Sequence, residues 1–192
     1  MNLAEKLKKK YTFEEYFELE KNSEVRHEFH DGELIPVENT TKIHNLIKRN
    51  LIRQIETEAF EDKGCQLFDE NVMTQLQDKI RYVYPDIVVT CDVRDDDPYL
   101  VQYPVVVIEV LSPSTKKYDK TGKFFRYQRI PTLRQCVFVA QDEIEIHSFA
   151  KNEADVWVHE LINSKEAFLN LPSINSKILV EDIYRRVVFP TE

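Results

Sequence analysis

Two carboxylates interrupt runs of apolar residues that otherwise have the look of central β-strands. Glu109 sits in Pro104-Val-Val-Val-Ile-Glu-Val-Leu111, with Val107 and Leu111 as its same-face neighbours in an extended chain. Asp86 sits in Val83-Tyr-Pro-Asp-Ile-Val-Val89. An ionised acid buried without a partner costs several kcal/mol, so each must be neutralised, paired with a cation or bound to a metal. Two acids on two central strands can converge at one end of a sheet, and convergent carboxylates suit a hard divalent cation such as Mg²⁺, which takes oxygen ligands and keeps water in its shell. The alternative is that each acid makes its own structural pair with an arginine or a backbone cap.

A third element follows the Glu109 strand. Between Tyr118 and Arg129 the residues Asp119, Lys123 and Tyr127 recur at intervals of four, which places them on one face of a helix. The segment from Lys116 to Arg134 carries seven basic residues, Lys116, Lys117, Lys120, Lys123, Arg126, Arg129 and Arg134, against the single acid Asp119. Its net charge is +6 while the remainder of the chain sums to −14. An overall charge of −8 argues against a protein that coats nucleic acid by bulk electrostatics. A local basic helix beside buried acids leaves room for a polyanionic substrate.

The elements that must position these residues are legible in outline. Thr12-x-x-Glu15 is a capping box, so a short helix starts near Thr12. Asp31-Gly32 between Arg26–His30 and Glu33–Val37 predicts a tight hairpin. Ile43, Leu46, Ile47, Leu51 and Ile55 recur at helical spacing and predict a helix from Thr41 to about Ala59. Strands are predicted over 66–76, 81–90, 105–111, 136–140, 143–149 and 156–161, a helix over 117–129, and a last short helix over 181–186. A chain of 192 residues, 42% apolar, with no repeat or linker, predicts one domain spanning 1–192: an α/β fold with a mixed central β-sheet flanked by α-helices.

With these pieces in place the chain resembles the Uma-type restriction-endonuclease family of the PD-(D/E)xK nuclease superfamily. The resemblance is carried by Tyr84-Pro-Asp86-Ile-Val-Val, by Val107-Ile-Glu109-Val-Leu-Ser-Pro-Ser-Thr115 and by Asp119-x-x-x-Lys123-x-x-x-Tyr127. Upstream, Tyr11-Thr-x-x-Glu-Tyr16, Arg26-His-Glu28-x-x-x-Gly32-Glu and His44-Asn-x-Ile47 match as well, as do Arg129-Ile-Pro-Thr-Leu-Arg134 and Leu171-Pro-Ser-Ile174 downstream. It implies a restriction-endonuclease-like fold and a Mg²⁺-dependent endonuclease, with Mn²⁺ as a substitute, that hydrolyses phosphodiester bonds in nucleic acid, DNA above all. Asp86 and Glu109 are then the metal-binding acids, with the main-chain carbonyl of Val110 as a further ligand. In the superfamily's commonest arrangement a lysine stands two residues after the glutamate; here that position is Leu111, and the family's lysine maps to Lys123 on the following helix. Glu28, His44, Asp119 and Tyr127 are accessory positions, and Lys116, Lys117, Lys120, Arg126 and Arg129 are the expected nucleic-acid contacts. The competing expectation is a non-catalytic nucleic-acid-binding or interaction module that keeps the nuclease fold. Duplex cleavage by a one-site enzyme suits a symmetric homodimer.

Other signals are discounted. His27 and His30 lie three apart on a predicted strand and face opposite ways, so they do not ligate together. Ser112 and Ser114 lack the glycine-flanked elbow of a serine hydrolase. His147 alternates with Ile144 and Ile146, which predicts a solvent-facing ring, and Trp157 is read as packing. Cys65, Cys91 and Cys136 form no Cys-x-x-Cys pair and are read as reduced core thiols. With no membrane-length apolar run and no secretory pattern at the N-terminus, a cytoplasmic protein without membrane contact is expected.

Overall fold

The computed structural model describes residues 9–37, 40–58, 64–112 and 116–189, with side chains at all of these but 57–58 and 116–121. Helix α1 (Phe13–Asn22) leads into the hairpin β1 (His27–His30) and β2 (Glu33–Pro36), followed by α2 (Lys42–Glu58). Short strands β3 (Gln66–Asp69), β4 (Met73–Gln77), β5 (Arg81–Val83), β6 (Ile87–Thr90) and β7 (Leu100–Val101) precede the long β8 (Pro104–Leu111). Helix α3 (Lys116–Tyr127) then connects to β9 (Gln135–Ala140), β10 (Ile146–Lys151) and β11 (Trp157–Ile162). The hairpin β12 (Phe168–Leu171) and β13 (Ser176–Leu179) and the turn-length helix α4 (Val180–Ile183) close the chain.

The local signals hold. Thr12 caps α1 with the reciprocal Glu15 bond of a capping box. Asp31 and Gly32 both take positive φ, 49° and 86°, as a two-residue hairpin turn of matching twist requires. A side chain at Gly32 would also meet the Tyr11 carbonyl at 3.2 Å.

The central sheet has the order β11-β10-β9-β8-β6-β3, antiparallel throughout except for β8 and β9. That one parallel pair needs a crossover, and α3 supplies it. One face of the sheet, with Ile87, Val89, Ile108 and Val110, packs on α2 through Ile47, Leu51 and Ile55 and on the C-terminal hairpin. The other face, with Val88, Val107, Leu111 and Phe138, packs on Tyr127, Ile130 and Leu133. A second sheet, β2-β1-β5-β4-β7, holds an aromatic core of Tyr16, Phe29, Tyr82 and Tyr84 under α1.

Two expected strands prove to be two strands each. The 66–76 run bends at 70–72, and the 81–90 run breaks at Tyr84-Pro85-Asp86; in both, the chain leaves one sheet for the other. Pro85 has no N–H to give a ladder, so the break falls there. The weakly patterned β7, β12 and β13 escape the sequence reading. Cys65 and Cys91 are also not free thiols. Extending the β3–β6 register by one residue sets them opposite each other, and they form a disulfide that leaves Cys136 as the buried free thiol. The cysteines therefore no longer speak for a reducing compartment. No helix among the described residues is long and apolar enough to cross a membrane.

Candidate active site at the end of the central sheet

The break at Pro85 delivers Asp86 to the mouth of the sheet. Strands β6 and β8 pair Ile87 with Ile108, and one further step of that register sets Asp86 against Glu109. Residues directly opposite in an antiparallel pair share a face at about 4.5 to 5.5 Å between Cβ atoms. Both acids are buried, Asp86 at 8% and Glu109 at 4% exposure. Asp86 is held from two elements and Glu109 from one. Asp86 Oδ2 accepts from the Val110 N–H at 2.7 Å and lies 3.0 Å from His44 Nε2, which α2 brings to the site from the other side of the sheet. Glu109 Oε1 accepts from the Tyr127 hydroxyl at 2.5 Å, and its Oε2 accepts from Lys123 Nζ at 3.0 Å. The crossover α3 thus brings both residues down on the acid that precedes it, as their four-residue spacing predicts.

The electrostatics of the site are those of too much negative charge for its cations. Burial pushes the Glu109 carboxyl up, the Lys123 charge opposes that, and the neighbouring Asp86 adds to it; the net direction is upward. Burial alone would lower the Lys123 ammonium, but Glu109, Glu28 and Asp86 together carry it above the usual lysine range. Glu28, on β1, is also raised by burial, yet its 2.7 Å contact with His30 and the charges of Lys123 and Arg126 outweigh that and hold it low. The Tyr127 hydroxyl, buried beside Glu109, stays protonated well past its ordinary value. Lys123 therefore remains a cation and Tyr127 a donor.

The donor set fits a divalent metal. Asp86 and Glu109 offer oxygen ligands of the hard type, and their mutual repulsion is what a dication relieves. Among the described residues no three carboxylate, imidazole or thiol side chains close into a cage. Two carboxylates with retained water are how Mg²⁺ is commonly held. The Nδ1 atom of His44 is buried with no hydrogen-bond partner, which marks this end of the site as incompletely satisfied.

Of the expected residues, Asp86, Glu109, Lys123, Tyr127, Glu28 and His44 are brought together. The side chains of Lys116, Lys117, Asp119 and Lys120 lie outside the described residues, as does Ser114. Arg126 is half-buried, with Nε donating to the Gly122 carbonyl at 3.2 Å, and Arg129 is exposed just beyond α3. His27 and His30 go to different acids, Glu20 and Glu28, as their opposite faces require. Trp157 packs edge-on against Phe124 at 5.4 Å. His147 is not solvent-facing: β11 extends the sheet beside it, His159 stacks on its ring, and Nε2 lies 3.0 Å from Glu145. Sequence reasoning also missed Lys48, a buried lysine paired with Glu70 at 2.5 Å. Its signal was present, since Lys48 is four residues from His44 on the same helix face. Asp86 and Glu70 line a cleft of about 280 Å³ with Arg26, Asn71 and Tyr84, which gives Asp86 an opening to solvent.

Comparison with known proteins bears on the family and the fold. A family model described as Uma2, "Putative restriction endonuclease", matches residues 13–178. The uncharacterized protein slr1290 of Synechocystis sp. is 32% identical over 178 residues, covering 92% of each chain. A second uncharacterized protein of that organism, sll1609, is 28% identical over 150 residues, covering 77% of this chain and 84% of its own. In three dimensions the chain is similar to a crystal structure described as "a putative nuclease belonging to DUF820" from Anabaena variabilis, with a TM-score of 0.74 over 93% of this chain and 99% of that one. At 17% identity that likeness speaks for the fold alone.

Proposed function

The chain belongs to the Uma2 family described as "Putative restriction endonuclease", and from that premise we propose that it is a Mg²⁺-dependent endonuclease that hydrolyses phosphodiester bonds in nucleic acid, with DNA as the principal substrate. The observation that carries the reading is the convergence on Glu109: one buried carboxylate opposite another, gripped by a lysine and a tyrosine from the crossover helix.

Asp86 and Glu109 would hold the metal, together with the Val110 carbonyl that the family resemblance implies. When bound, such an ion polarises the scissile phosphate and acidifies a water. The chain's own residues do the rest. His44 and the Val110 N–H fix one oxygen of Asp86, and Tyr127 fixes one of Glu109, so neither carboxylate is free to rotate. Lys123 is held cationic by three acids, which suits it to orient the attacking water and to stabilise charge developing on the phosphate. The basic side chains of α3 and Arg129 would follow the phosphate backbone on either side of the cut.

Calorimetric titration with Mn²⁺ tests the metal assignment. Wild-type protein binds one or two ions, and the Asp86→Ala, Glu109→Ala double variant binds none at that site. Equal binding by the two proteins would remove the proposed centre.

A further inference from the structure

Beside the catalytic cleft lies a second cavity of about 320 Å³, bordered by Phe17 and Lys21 of α1, by Arg26, Asn71 and Tyr84, and by Tyr99. Arg26, Asn71 and Tyr84 line both cavities, so the second adjoins the cleft that opens on Asp86. Tyr84 and Asp86 are two residues apart, hence at most about 7 Å between Cα atoms. A group seated against Tyr84 is therefore a near neighbour of one bound at Asp86.

The walls of this cavity are aromatic and its polar groups are already ordered. Tyr84 is buried, and its hydroxyl donates to Glu20 Oε1 at 3.1 Å, which fixes the ring as a wall. Phe17 meets Tyr99 edge-on at 6.1 Å, and Tyr99 is 58% exposed, so its ring is open to a ligand. Lys21 Nζ stands 4.4 Å from the Phe17 ring centre and pairs with Glu18 outside. The Arg26 guanidinium lies 6.0 Å from the Tyr84 ring centre at the wall shared with the catalytic cleft. The Glu20 carboxylate accepts from the His27 N–H and from Tyr84 and lies 3.1 Å from His27 Nδ1. A buried carboxylate whose two oxygens are both engaged disfavours a phosphate there and leaves the aromatic faces to meet a flat group. A volume near 300 Å³ is the small end of ligand pockets.

We propose that this cavity receives one unstacked nucleobase of the strand whose phosphodiester lies at Asp86, with Arg26 on the phosphate between the two. The inference rests on the nuclease reading and deepens it, because a base can meet Tyr99 only when its faces are free. The preferred substrate is then single-stranded, or unpaired beside the cut.

The test uses protein with ¹³C-labelled tyrosine rings in EDTA, where no cleavage occurs. The probes are a thymidine tetranucleotide and a tetranucleotide of equal charge whose sugars carry no bases. Base stacking on an aromatic ring is worth about 1–3 kcal/mol, or roughly a factor of 5 to 150. The base-bearing probe should bind about tenfold tighter and shift the Tyr99 ring signals. Tyr99→Ala, an exposed replacement that spares the fold, should abolish that preference and leave the abasic probe's affinity unchanged. Equal affinity of the two probes, or a preference that survives Tyr99→Ala, would overturn the assignment. Because no metal is present, a protein that cleaves but shows no base preference loses this pocket and keeps its catalytic site, while one that shows the preference but never cleaves does the reverse.

Discussion

Lys123 follows Glu109 by 14 residues in the chain and donates to its carboxylate at 3.0 Å. Strand β8, the crossover and α3 close a loop in which the acid and its cation come from consecutive elements, and the position two residues after the acid is Leu111, buried in the core. A lysine on the helix reaches the acid without placing an ammonium in the sheet interior. On the proposed role in stabilising transition-state charge, replacing Lys123 with Ala should lower single-turnover cleavage by on the order of 10² or more. Affinity measured in Ca²⁺ should stay within a few-fold, because the other basic residues of 116–134 remain.

Tyr127 has a different part, and its loss should read out in pH. Its hydroxyl favours the ionised form of Glu109, whose carboxyl is already raised by burial and Asp86. Tyr127→Phe removes that donor, so the Glu109 pKa should rise further. The acid limb of the pH–rate profile should move to higher pH by about one unit, the equivalent of about 1.4 kcal/mol, with the plateau rate changed much less. A uniform fall in rate at every pH would instead assign Tyr127 to packing.

Asp86→Asn separates stability from function. Asp86 Oδ2 takes both the Val110 and the His44 contacts, and an asparagine oxygen in that place can keep them. The substitution deletes one of two adjacent buried charges. A raised Glu109 pKa means that the folded, metal-free protein retains a proton the unfolded chain gives up. Its stabilising contribution is whole below the ordinary carboxylate range, about 4.3, and is lost as pH rises through the folded value. In EDTA at pH 8, Asp86→Asn should therefore melt no lower than wild type. The stabilisation that Mg²⁺ gives wild type should grow with pH and vanish in the variant.

The basic helix gives a fourth expectation. Lys120→Glu with Arg126→Glu should weaken nucleic-acid binding and flatten the dependence of log affinity on log salt by roughly one unit per lost phosphate contact. An unchanged slope measured by anisotropy would make α3 a solvated face.

How much of this was legible in the chain depends on the kind of signal. Capping at Thr12, the Asp31-Gly32 turn, and the Lys123–Tyr127 spacing are local, and each survives intact. The apolar setting of Asp86 and Glu109 was also readable, because a charge in a β-rich run is costly wherever the strand sits. What fails is partly long-range. The breaks themselves are marked locally, by Asp69-Glu-Asn71 and by Pro85, but the apolar residues around them carry no mark of which sheet they join. The Cys65–Cys91 bond and the burial of His147 depend on which strands become neighbours, and neither spacing nor alternation encodes that.

The most direct measurement is cleavage of labelled single-stranded and duplex DNA by wild type and Glu109→Ala, with Mg²⁺, with Mn²⁺ and with EDTA. Products are expected with either metal, none with EDTA, and none from Glu109→Ala under any condition. Cleavage by Glu109→Ala at the wild-type rate, or wild-type cleavage that persists in EDTA, would contradict that expectation.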